Sequence, residues 1–187
     1  MKNKTLFYIL ITTIILFSVF ARFIPHFPNF APMGALALFA IAFYKRSVWA
    51  VGITAFVWWA SDFYLNNFVY ELNGSLVFFT QFQAFTLLSI LAIVALGKLL
   101  FKKITIAKAL LGGVAASLIF FIISNFGVWL QGTMYPMTFN GLVTCYQMAI
   151  PFYKATFASD LIFTVVFFGL MFLVQAKISE EKQITLA

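Results

Sequence analysis

Long apolar runs separated by short polar breaks organise this chain. Six can be read, at 5–24, 31–44, 47–66, 76–99, 106–130 and 152–176, with a polar tail at 177–187. A helix that crosses a bilayer needs roughly 20 apolar residues, so most of these runs are long enough to span. The second is shorter, about 21 Å as helix, and is expected to begin deeper in the membrane after an irregular, proline-rich segment. The predicted architecture is all-α: a single polytopic bundle of about six transmembrane helices covering 1–187.

The breaks carry the charge. Lys2 and Lys4, Lys45 and Arg46, Lys98, Lys102, Lys103 and Lys108, then Lys177 and Lys182 alternate with the spans, leaving Arg22 and Lys154 on the other side. Basic loops stay in the cytoplasm, which puts both termini inside a multi-pass membrane protein; the family resemblance given below implies that the membrane is a bacterial inner one. The apolar run from Thr5 exceeds the roughly 7–15 residues of a signal-peptide core, so the first span is expected to be retained.

Composition sharpens this. Of 187 residues, 64% are hydrophobic and 9% charged, against about a quarter charged in a soluble domain. A soluble enzyme, a nucleic-acid-binding domain and a disordered chain are thereby excluded. The net charge of +7 is topological and implies no nucleic acid. Cys145 is the only cysteine and His26 the only histidine, so no internal disulfide, multi-cysteine site or all-histidine metal site is expected, and no cofactor.

The outer side holds the candidate chemistry. All five prolines (Pro25, Pro28, Pro32, Pro136, Pro151) fall there, and proline interrupts helices, so 131–151 is expected to be an irregular polar loop. Asp62 and Asp160 lie within spans three and six at comparable depth, in the echoing contexts Ala60-Ser61-Asp62 and Ala158-Ser159-Asp160. Ionisable groups in a membrane are costly and mark candidate sites, although Arg22 or Lys154 paired with an aspartate would also serve to hold helices together. The functional reading is an outward-facing pocket with Arg22, Asp62 and Asp160 as polar anchors. Trp58, Trp59, Trp129, Tyr135 and Tyr146 would wall it, with Asn29 beside them. Glu71 reads as a solvated loop charge. Asn29-Phe30 before Asp62 and Asn125-Phe126 before Asp160 hint at an internal repeat.

Small residues mark the other half. Gly112, Gly113 and Ala116 begin the fifth span and would let a helix approach closely. That helix belongs either to this chain or to an energising membrane partner.

Several of these strings also carry a family resemblance. Pro25-His26-Phe27-Pro28-Asn29-Phe30-Ala31-Pro32, with Gly34-Ala35-Leu36-Ala37-Leu38-Phe39 after it, resembles the opening of an uncharacterised family of small bacterial membrane proteins. Tyr135-Pro136-x-Thr138, Gly141-Leu142, Cys145-Tyr146, Ala149-Ile150-Pro151-Phe152 and Ser159-Asp160-Leu161 resemble its second half. That family is similar to the S components of energy-coupling-factor vitamin transporters, and distantly to the solitary cobalamin-transport S components. The resemblance implies a six-helix bundle that binds a small vitamin-like molecule between outer loops and delivers it inward, usually on an ATP-driven module. The cysteine that ligates cobalt in the cobalamin-type proteins has no counterpart between Gly74 and Gln81, and residues 5–21 hold only Ala21 of an alanine-rich coupling motif.

Binding and uptake is the leading expectation, with no enzymatic activity; the chain lacks a Gly-x-x-x-x-Gly-Lys phosphate loop. A non-enzymatic accessory subunit of a larger membrane complex is the alternative. An aspartyl hydrolase is a third class and would need the two carboxylates within hydrogen-bonding reach.

Overall fold

Local capping decides where several helices begin. Thr80 and Gln83 form a reciprocal capping box, and Thr105 accepts a bond from the Lys108 amide, satisfying amides that the first helical turn leaves without partners. Thr138 does the same for the Gly141 amide at 3.1 Å. The computed structural model describes residues 2–23, 29–44, 46–69 and 76–186. Among these it contains no strand and six α-helices: α1 (Lys2–Phe20), α2 (Met33–Phe43), α3 (Ser47–Tyr64), α4 (Gln81–Leu100), α5 (Ile106–Leu130) and α6 (Phe139–Leu186). A π-helical turn, Leu65–Val69, extends α3.

The helix surfaces are inverted relative to a water-soluble bundle. On α5 the buried stripe is Ala109, Gly112, Gly113, Ala116, Ser117, Ser124 and Gly127, while Leu111, Leu118, Ile122 and Phe126 are exposed. On α4 the polar Gln83, Thr86 and Ser89 are buried and Leu87, Leu88 and Leu91 face outward. Small and hydroxylated residues inside with large apolar ones outside is the packing of a bundle whose solvent is lipid. Most of the buried hydroxyls bond to carbonyls of the preceding turn, as Thr54 does to Ala50 and Ser89 to Phe85, both at 2.8 Å, which satisfies them in hydrocarbon; Thr164 Oγ1 is an exception. Four segments are long and apolar enough to cross a membrane: Ser47–Val69, Gln81–Leu100, Ile106–Leu130 and Phe139–Ser179. Thr5–Phe20 and Met33–Phe43 are apolar but shorter.

The shortest helix forms the core. Every residue of α2 from Met33 to Ala40 is buried, and α2 packs against all five other helices. Its alanines and Gly34 allow that crowding. Gly112 sits against Leu38 and Leu100, and a Cβ on Gly113 would meet the Thr164 hydroxyl at 2.9 Å. The small residues of α5 thus meet this chain's own helices, with Gly112, Gly113 and Ala116 all buried.

Two expected boundaries are corrected. Residues 76–79 are apolar but not helical: the Asn67 side chain donates to the Val77 carbonyl at 2.9 Å and accepts from its amide at 2.6 Å, tying up backbone groups of this stretch. In the other direction, helix α6 begins at Phe139, not 152, and runs through Pro151 to Leu186. The irregular stretch shrinks to 131–138. A proline removes one intrahelical bond, a loss that neighbouring helices and hydroxyls make tolerable in membrane helices.

This packing predicts opposite outcomes for two glycines. A Cβ on Gly97 would lie 2.5 Å from Ile41 Cγ2, whereas one on Gly52 meets nothing within 4 Å. Gly97→Ala is expected to cost about 1–3 kcal/mol through overpacking. Gly52→Ala should be neutral or stabilising by up to about 1 kcal/mol. Thermal midpoints of the two variants in one detergent check this.

Candidate functional site

Helix α2 starts at Met33 with Pro32 as its cap residue, and Pro32 supplies no side-chain acceptor. The amides of its first turn need a partner from elsewhere. Asp160 of α6 provides it: its Oδ1 accepts from the Ala35 amide at 3.1 Å, and the Gly34 amide also bonds to this carboxylate. A Cβ on Gly34 would stand 2.5 Å from Oδ2, so glycine is required for the approach. Asp160 is 1% exposed. Ser159 donates to the Ala31 carbonyl at 3.1 Å and Thr156 to the Asn29 carbonyl at 3.4 Å. Positions 156, 159 and 160 share one face of a helix, and together they clasp the entry to α2. Asn29 turns the chain there with φ of 63°, a left-handed conformation that asparagine tolerates better than most residues.

The second anchor joins α1 to α3. Beyond the end of α1, Arg22 forms an ion pair with Asp62; their side chains are 14% and 17% exposed. The Arg22 guanidinium carbon lies 5.9 Å from the centroid of the Trp58 ring, within range of a cation–π contact. Gln83 of α4 also hydrogen-bonds the Asp62 carboxylate.

Both anchors open on one cavity of about 590 Å³. Six of the nine anticipated residues line it: Arg22, Asn29, Trp58, Asp62, Tyr135 and Asp160. The other three are placed elsewhere. Trp59 donates to the Phe78 carbonyl at 3.0 Å and stacks on Phe63. Trp129 donates to the Pro136 carbonyl at 3.1 Å. Tyr146 donates to Ile122 at 2.7 Å and packs edge-on against Phe121, which itself lines the cavity. Asn66, Ser124, Asn125, Tyr153 and Thr156 also line it, and of these the sequence singles out only Asn125, through the repeat. Asn29 and Asn125, the two repeat asparagines, thus meet at one site. Cys145 reaches the same wall, its Sγ 3.4 Å from the Asn125 carbonyl.

Apolar lining comes from Met33, Phe82, Phe120, Phe121 and Val128, and exposed Met134, Met148 and Phe152 lie at the rim. The cavity faces the C-terminal half of α5, about 24 Å by helical rise from Lys108 to Ser124. His26 and Glu71 lie outside the described residues, and Lys154 is exposed. Among the described residues no three His, Cys, Asp or Glu side chains come together as a metal site. The two aspartates have separate partners, Arg22 for one and the α2 amides for the other, whereas acid–base sharing of a proton requires carboxylates in mutual contact. The arrangement is suited to holding a molecule.

The sequence model of one family, DUF6580, described as a family of unknown function, matches residues 2–183. No curated protein matches the chain, and no solved structure does.

Proposed function

This chain belongs to the DUF6580 family, and for it we propose a membrane-embedded binding protein that takes up a small, vitamin-like molecule. The observation that carries this reading is the cavity of about 590 Å³. Ligand pockets of about 300–1,000 Å³ are mostly apolar with a few placed polar groups, and this one combines aromatic walls with Arg22, Asp62, Asp160, Asn66 and Asn125. A subunit that only bridged partners would have no use for such a space. The S-component likeness of the sequence motifs supports the same reading. With it come six spans, cytoplasmic termini, an outward-facing site in a bacterial inner membrane, and energy drawn from a partner or a gradient.

The test uses a plug. Ser124 is buried on the cavity wall, and Ser124→Phe would place a ring in the space while leaving both anchors intact. The small-molecule fraction of host-cell extract is expected to raise the thermal midpoint of the wild-type protein by several degrees, because a ligand of the folded state stabilises it. The plugged variant should show no shift. An equal shift in both proteins, or none in the wild type, contradicts the proposal.

A further inference from the structure

Resting on the binding role proposed above, we infer that the cavity takes an organic cation with a flat aromatic or heterocyclic body. Its lining contains one basic residue and two acidic ones. Arg22 is already held by Asp62, so the pair presents little net charge. Asp160 is different. It is 1% exposed, and its hydrogen-bond partners among the described residues are backbone amides of α2, with no basic side chain. A helix N-terminus supplies about half a positive charge, which leaves the site electronegative. Trp58, Phe82, Phe120, Phe121, Tyr135 and Tyr153 surround the space, and aromatic faces attract cations, most strongly where water is excluded. An anion brought beside Asp160 meets like-charge repulsion. A bare metal ion finds no cluster of three ligating side chains among the described residues, so the positive group belongs to an organic molecule.

A series with one ring system and three charges tests this: tryptamine, its neutral alcohol analogue tryptophol, and the anion indole-3-acetate. Binding to the purified full-length protein in lipid nanodiscs is followed by calorimetry. Tryptamine is expected to bind about tenfold tighter than tryptophol or better, as one charge-assisted contact allows, with indole-3-acetate weakest. Asp160→Asn keeps an acceptor for the α2 amides but removes the charge, and should erase the preference for the cation. Should that variant fold poorly, the wild-type series decides by itself. Tryptophol or indole-3-acetate binding as tightly as tryptamine overturns the charge assignment and leaves the binding role standing. Failure of all three to bind overturns the aromatic-cation assignment, while the binding role is decided separately by the thermal shift of wild type and Ser124→Phe in host-cell extract.

Discussion

Replacing Asp160 with alanine is expected to cost on the order of 3 kcal/mol, and with it most of the folded protein recovered in detergent. Removing the carboxylate leaves the Gly34 and Ala35 amides without an acceptor, at about 1–3 kcal/mol for each buried donor. The helix's own cap residue, a proline, offers no side-chain acceptor in its place. The damage would fall on the core, since α2 is the element every other helix packs against. Asp160→Asn should restore most of the stability, because asparagine also caps helices well. Size-exclusion recovery and thermal midpoints of the two variants separate these outcomes. Equal stability of the alanine variant and wild type would remove the capping role.

The second large effect concerns Arg22 and Asp62. Breaking a buried ion pair from one side strands the other charge and costs about 3–5 kcal/mol, whereas replacing both partners by apolar groups can be neutral. With side chains only 14% and 17% exposed, the pair should follow that pattern. Asp62→Leu and Arg22→Met are each expected to destabilise by on the order of 3 kcal/mol. The double variant should recover most of the loss. A full double-mutant cycle on thermal or denaturant midpoints measures the coupling; additive losses would show that the two side chains stabilise the bundle independently. The doubly apolar protein is also informative for binding, because it should fold yet bind ligand more weakly.

What could be read in advance followed physical lines. The span at 106–130 agrees with α5 residue for residue, because its run carries no charge after Lys108 and is bounded by Thr105. Apolar content alone misplaced the starts of α4 and α6. Leu76 to Phe79 are as hydrophobic as the helix they precede but are not helical, and the Val77 backbone is bound instead by a side chain ten residues away, Asn67. At Pro151 the expectation of a break failed, since the rest of α6 continues on both sides of it. Thr138 and Gly141 marked the true start, but one threonine among several in a polar stretch was too weak a signal.

The site divided in the same way. Charged residues at membrane depth are rare enough to stand out, and Arg22, Asp62 and Asp160 all line the cavity. Aromatic residues were too common to sort, with 26 Phe, 7 Tyr and 4 Trp in the chain. Trp58 and Trp59 are adjacent in sequence, yet about 100° of helical rotation separates their side chains. One therefore faces Arg22 and the other Phe78. Tyr153 and Thr156 were passed over because their roles depend on contacts with helices distant in sequence, such as Phe121 and Asn29.

The central claim is that the cavity between Asp62 and Asp160 holds a small molecule. Native mass spectrometry of the protein, gently extracted from its own host membrane, tests it most directly. The account predicts a stoichiometric adduct of defined small mass on the wild-type chain, absent from the Ser124→Phe variant. A wild-type chain that emerges unliganded and bound to other subunits would contradict it.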